Sequence, residues 1–491
     1  MSTPPRDRRG RLIQGDPPTE PMPMRDLLRR TPYRHARIPD EAAEEQEVLR
    51  ALDLSARVGE LMLRSGAGAP QVQGSVAAVA AACGIDTVEL DITMQSLFIQ
   101  ATSSDGRPHT LLRVVRQTRH DYARLVAIHE LVDDLVSGEL TPAEAEKRLR
   151  LIKKHPRNYQ AWVVNLASAL LASAVAVMIG ATPLAAFITI LVVLLVTGIN
   201  RLHARINLPE FYGNAINAFA ATVLAGGFYF LGAAGSISLG ESGFAFIVAG
   251  GIVAMLPGRT MASAIEDVLF GYPLTGAGRL LGVLLALTGL IIGIALGLSV
   301  MLSITEVLDS SFVSPDVLDL RTGQSTVVAA IGGALVVGLA GAVTVQSRRR
   351  VIIPIGLLSA GGAVVYAVLQ RGVGIGPITA TGVAAVSLGV CGRLLAQRMD
   401  MPSMVLVVPA SFGLLPGLTI FRGLYELVAQ SGGSAGLLSI QSGITTLLGA
   451  GAILLAIATG TVFGDIIASP MDRRMRGGRG TRPPDAVGSE N

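Results

Sequence analysis

The chain has 491 residues, 50% of them hydrophobic and 15% charged, with a mean hydropathy of +0.54. Soluble domains carry about 25% charged residues, so this balance excludes a wholly soluble protein. The net charge of +4 could suggest nucleic acid as a partner, but the basic residues gather beside apolar runs and in the two tails. Membrane orientation explains that placement, and no nucleic acid is expected.

Residues 1–40 mix Pro, Arg and Asp without a periodic apolar face and are expected to be disordered. They lack the apolar core and cleavage site of a secretory signal, so the N-terminus is expected to stay in the cytoplasm. From residue 41 to 154 the pattern is α+β. Leu49, Leu52, Val58, Leu61 and Met62 recur at helical spacing up to "RSGAGAP", where Gly66 and Gly68 stop one helix and Pro70 can open another. "DTVELDIT", "SLFIQAT" and "HTLLRVV" read as a small strand meander. Two helices follow, the second opened by a capping box from Thr141 to Glu144. His109, His120, His129 and Asp133 are available for chemistry, but no nucleophile elbow, metal-ligand cluster or cofactor motif accompanies them. Cys83 and Cys391 lie far apart and imply no disulfide framework. Neither an enzyme nor a metal or cofactor site is expected.

From Ala161 onward ten apolar runs can be drawn, near Trp162–Ile179, Pro183–Ile199, Gly213–Leu231, Gly243–Leu256, Gly278–Leu302, Thr326–Val345, Val351–Leu369, Pro377–Ala396, Met404–Leu415 and Gly443–Ile467. A helix of about 20 residues crosses a hydrocarbon core of about 30 Å, so most can span a membrane. Lys and Arg follow every second run, starting with "KRLRLIKKHPR" before the first, and the loops between are neutral or acidic, with Arg371 as an exception. By the positive-inside rule both termini lie in the cytoplasm. Residues 155–302 form a first membrane half, 303–322 an extracytoplasmic linker, 323–470 a second half and 471–491 a disordered basic tail.

The fourth and ninth runs are short and end in the same pattern, Leu-Pro-Gly-x-Thr, in "MLPGRT" and "LLPGLT". Pro416 follows Pro257 by 159 residues, and at that offset Gly258 falls on Gly417, Thr260 on Thr419 and Asp267 on Glu426. Five spans separate the copies, and an odd number forces opposite orientation. The fold expected is a polytopic helical membrane protein with ten transmembrane helices, arranged as two inverted five-helix repeats behind a cytoplasmic α+β domain. Inverted repeats are the signature of secondary transporters. Pro257 and Pro416 would break their helices, and the short helices after them would fold back toward the midplane.

Carboxylates at membrane depth are costly and usually serve ions, protons or substrate. Asp267 and Glu426 are the repeat-related pair, with Glu266 competing in the first half; the alternative is that they sit on solvated helix faces. Arg259, Arg279 and Arg422 can pair with those acids or with a substrate carboxylate, although positive-inside anchoring also accounts for Arg259 and Arg279. Asn214, Asn217, Thr260 and Thr419 can hydrogen-bond a polar ligand or bond helix to helix.

The motifs "RVGELMLRSGAGAPQV" and "CGIDTVELDIT", followed by "LPGRT…ED…G" and then "LVVPASFGLLPG", make the chain resemble the bacterial threonine/serine exporter family from about Glu44 to Asp472. That resemblance implies export of L-threonine and L-serine across the cytoplasmic membrane, driven by the proton motive force. It also leaves small dicarboxylates such as succinate open as cargo, because split relatives are linked to them. A Walker A motif is absent, so ATP-driven pumping is not expected; a passive channel remains an alternative. The partners expected are a small amino acid, protons and the lipid bilayer, and a homo-oligomer stays open.

Overall fold

The computed structural model describes residues 45–103, 106–115, 118–206, 208–233, 243–256, 258–307, 325–428 and 436–469. The tails expected at 1–40 and 471–491 lie outside the described residues, as do most of the linker expected at 303–322 and Pro257.

The N-terminal unit holds α1 (Glu45–Arg64), α2 (Ala69–Ala82), β1 (Val88–Thr93), β2 (Ser96–Thr102), β3 (Pro108–Val114), α3 (Tyr122–Ser137) and α4 (Pro142–Lys154). The strands form one antiparallel sheet in the order β1-β2-β3, with Val88 opposite Ala101 and Ser96 opposite Val114. Period-2 alternation sends Leu97, Ile99 and Ala101 inward and leaves Phe98 and Thr102 outside. The helix α1 covers the inner face through Leu52, Val58, Leu61 and Met62, while Leu49 points out at 47% exposure and Val48 takes its place inside. Gly59 permits the close approach, since a Cβ there would stand 2.6 Å from Leu97 Cδ2. Gly66 ends α1 at φ +95°, a conformation costly for any residue with a Cβ. Asp121 caps α3 by accepting from the Arg124 amide, and Thr141 and Glu144 close a reciprocal capping box on α4.

The remaining helices are α5 (Ala161–Ile179), α6 (Pro183–Arg205), α7 (Glu210–Ala233), α8 (Gly243–Met255), α9 (Gly258–Leu269), α10 (Pro273–Val307), α11 (Val327–Thr344), α12 (Arg349–Ala367), α13 (Pro377–Arg398), α14 (Met404–Ala410), α15 (Gly417–Val428) and α16 (Gly436–Ala468). Among the described residues eight of these are long and apolar enough to cross a membrane, and two shorter apolar helices lie at Gly243–Met255 and Met404–Leu414. The chain is thus a polytopic membrane protein. The eight long helices carry exposed Leu, Ile and Phe side chains such as Leu170, Phe187, Leu284 and Leu357, which suit contact with lipid. The two short ones are different. The helix α8 is buried on all sides from Gly243 to Val253, and α14 is buried at all its apolar positions except Val408. A helix too short for the hydrocarbon core is tolerable only where protein surrounds its ends.

The packing is duplicated. The helix α7 lies on α10 as α13 lies on α16, α9 on α10 as α15 on α16, and α5 packs α11 to join the two sets. The helices α9 and α15 begin and end at the same offset, Gly258 to Gly417 and Leu269 to Val428. Both long pairs are built on glycine. In α10 a Cβ at Gly289 would stand 2.4 Å from the Phe211 carbonyl oxygen, and at Gly293 2.1 Å from that of Ala215. In the second set Gly389 would meet the Thr461 carbonyl at 2.3 Å and Gly464 that of Val386 at 2.2 Å. Backbone contact of this kind replaces aromatic packing in lipid, where small residues let helices approach.

Candidate transport site

Both Leu-Pro-Gly segments end a buried helix and start an amphipathic one. In the first, α8 stops at Met255 and α9 starts at Gly258. In the second, α14 passes through a tight 3-10 turn at Ser411–Leu414 before α15 starts at Gly417, with Pro416 buried in the turn. The second break packs on the helix that ends at the first. Gly417 lies against α8, its Cβ position 2.0 Å from Val253 Cγ2, so only glycine fits. A cleft between them is lined by Met261 of α9, by Ser411, Phe412 and Leu415 of the second break, and by Leu454, Ile457 and Ala458 of α16. The first amides of a helix have no acceptor within it and carry the positive end of the helix dipole. The starts of α9 and α15 each present such amides, with half-buried Thr260 and Thr419 on their first turns.

The carboxylates lie elsewhere. Asp267 on α9 is fully buried, pairs with Arg279 Nη1 of α10 at 2.6 Å and accepts the Ala69 amide at 2.9 Å. It thereby caps the N-terminus of α2, whose own cap position is Gly68 and offers no side chain. Glu266 stands beside the same turn, its carboxyl 3.4 Å from the Cβ position of Gly68. Glu426 on α15 accepts from Arg422 Nε at 3.0 Å, from Ser442 Oγ at 3.0 Å and from Thr446 Oγ1 at 2.9 Å. Asp267 and Glu426 share no hydrogen-bond or ion-pair partner among the described residues. Asn217 is buried on α7 and its Oδ1 accepts no hydrogen bond there, while Asn214 is half-buried. The Arg259 side chain lies outside the described residues.

One ion pair has no counterpart among the sequence-derived candidates: Arg393 Nη1 of α13 to Asp465 Oδ2 of α16, at 2.5 Å. Its signal was present, because Asp465 is a lone acid inside an apolar run, and such a residue marks function or a buried partner. Arg393 reads in sequence only as an orientation charge.

The N-terminal unit touches both sets of helices. Besides the Asp267 cap, Met94 donates its amide to Thr275 Oγ1 at 3.0 Å in the first set. In the second set the loop after α11 receives the first amides of α3, Tyr122 onto the Val345 carbonyl at 3.0 Å and Ala123 onto that of Gln346 at 3.2 Å. Arg348 forks onto Glu130 at 2.5 and 2.7 Å. That bidentate hydrogen bond holds the Glu130 carboxyl below its ordinary 4.5, against an opposing effect of burial. A carboxyl lowered in the folded protein adds stability above its ordinary value and loses it as pH falls through the lowered one. Glu130→Gln is therefore expected to cost about 1 kcal/mol at neutral pH and to remove part of the acid sensitivity below pH 4.5. Melting curves of both proteins from pH 7 to 3 check this, and parallel curves would refute it.

The family comparisons match this architecture in two blocks. The ThrE model, described as "Putative threonine/serine exporter", matches residues 53–301, which take in most of the N-terminal unit, α5 to α9 and most of α10. A second model, described as "Threonine/Serine exporter, ThrE", matches residues 324–467. The chain belongs to the threonine/serine exporter family. A "Probable threonine/serine exporter" of Mycobacterium tuberculosis is 28% identical over 429 residues, covering 86% of this chain and 77% of that protein. The "Threonine/serine exporter" of Corynebacterium glutamicum is 28% identical over 451 residues, covering 91% and 86%. No solved structure matches. This family member is an exporter by kinship rather than an enzyme, and the boundary between its two matched blocks falls in the acidic stretch between α10 and α11.

Proposed function

We propose that the chain is a secondary active exporter of L-threonine and L-serine across a bacterial cytoplasmic membrane, coupled to protons, with both termini and the N-terminal unit in the cytoplasm. Its ten membrane helices form two five-helix halves of opposite orientation, which rock against each other around one central site. The observation that carries this reading is the packing of the second Leu-Pro-Gly break on α8, the helix that ends at the first, beside a cleft that Met261 of the first turn of α9 also lines. Discontinuous helices whose N-termini converge are suited to hold an anionic group. The substrate carboxylate goes to such amides, and Thr260 and Thr419 bond its hydroxyl. The names of the relatives favour amino acids over dicarboxylates as cargo.

The test is counterflow in proteoliposomes containing the purified full chain, loaded with threonine, serine or succinate, with and without an imposed pH gradient. Exchange of threonine and serine is expected, with uphill accumulation only when the gradient is imposed. Uptake that only equilibrates in both conditions would make the protein a facilitator. Exchange of succinate alone would move it to the dicarboxylate class.

A further inference from the structure

Three carboxylates and two guanidiniums are carried by α9, α10, α13 and α16 among the described side chains, with Glu266 and Asp267 of α9 standing against Gly68 of the N-terminal unit. Two pairs are closed: Asp267 with Arg279, and Asp465 with Arg393. The fifth group is Glu266. No hydrogen bond or ion pair among the described residues reaches it, yet its electrostatic neighbours are Asp267, Asp465 and Arg279. Two carboxylate oxygens of these pairs are buried without a hydrogen-bond donor among the described residues: Asp465 Oδ1, because Arg393 bonds Oδ2, and Asp267 Oδ2, which Arg279 faces as an ion pair only. A buried acceptor left empty is costly, and like charges close together cannot all stay ionised.

We infer that Glu266 is the exporter's proton-binding carboxylate and that the Asp465–Arg393 pair is its positioning partner. This rests on the proton-coupled reading above and names the group that performs it. Five formal charges sum to minus one when Glu266 is ionised and to zero when it is protonated. A proton on Glu266 therefore neutralises the cluster. The step is a proton transfer alone: an O–H bond forms at the Glu266 carboxylate from hydronium on one side of the membrane and breaks to water on the other. Nothing is oxidised or reduced.

Each element packed on this group contributes to its field. The helix α10 brings Arg279, α16 brings Asp465, α13 brings Arg393 behind it, and Asp267 is the next residue along α9. From the N-terminal unit, His120 lies against Gly66, and Tyr272 at the end of α9 bonds Gln73. The position also links coupling to conformation. The carboxyl sits against Gly68, and the adjacent Asp267 holds the amide of Ala69, so protonation changes the charge at the seat of the N-terminal unit.

Glu266→Gln, Asp465→Asn and wild type are compared in proteoliposomes for two readouts, threonine counterflow and threonine accumulation driven by a pH gradient. Counterflow exchanges substrate for substrate without net proton movement. Glu266→Gln is expected to keep counterflow within about threefold of wild type and to lose gradient-driven accumulation altogether, while Glu266→Asp regains part of it. Removing the Asp465 charge makes Glu266 easier to ionise, so Asp465→Asn is expected to shift the pH midpoint of export down by about one unit. If Glu266→Gln still accumulates threonine against the gradient, or if it loses counterflow while eluting as a single folded species, the assignment is overturned. An unshifted midpoint in Asp465→Asn removes the positioning role. If wild type itself ignores the gradient, it is the proton-coupled reading that fails.

Discussion

Asp267→Ala is expected to destabilise the protein by about 3 kcal/mol or more, the usual cost of breaking a buried ion pair by removing one partner. The change leaves Arg279 largely buried without its counter-charge and strips the cap from the first amide of α2. Because the two ends of this contact lie 198 residues apart, the loss falls on the seating of the N-terminal unit rather than on one helix. Thermal unfolding of the purified full chain should show a lowered midpoint, and limited proteolysis should cut sooner near His155. The double change Asp267→Ala with Arg279→Leu should recover part of the loss, since it removes the orphan charge. Additive losses in the double variant would mean that the two groups act independently.

The second large effect is expected in the glycine contacts. Gly293→Ala puts a methyl group 2.1 Å from the Ala215 carbonyl oxygen, and Gly464→Ala puts one 2.2 Å from that of Val386. In each case the obstacle is backbone, which cannot rotate away as a side chain can. Overpacking costs about 1–3 kcal/mol where side chains can adjust, so these variants belong at the upper end or beyond, with α7 pushed off α10 and α13 off α16. Gly282→Ala is the control on α10 itself, because nothing lies within 4 Å of its Cβ position. It should stay within about 0.5 kcal/mol of wild type. Yield of monodisperse protein and its melting temperature separate the three, and equal behaviour of Gly282→Ala and Gly293→Ala would refute the close-packing account.

What could be read along the chain was what depends on neighbours in sequence. Hydrocarbon thickness selects apolar runs of a given length, so the apolar helices stand where the hydropathy placed them, with the short ones at Gly243–Met255 and Met404–Leu414. Caps are equally local, and Thr141 with Glu144 needs no partner beyond three residues. The doubled Leu-Pro-Gly spacing was visible for the same reason, and the starts of α9 and α15 keep it to the residue.

Partners across the fold were not legible. The sequence by itself offered Asp267 and Glu426 as equivalent because they share an offset, but tertiary packing gave them unlike surroundings. Asp267 is engaged by the N-terminal unit, which has no duplicate, and Glu426 by Ser442 and Thr446 within its own half. Arg393 looked like an anchor and Asp465 went unclaimed, since only the rotation of α13 against α16, set by Gly389 and Gly464, turns the two toward each other. Composition and periodicity determine which segments enter the membrane, because transfer of a side chain into hydrocarbon is a property of that segment alone. Which charges meet depends on helix register and distance of approach, and those are decided by backbone contacts between residues far apart in the chain.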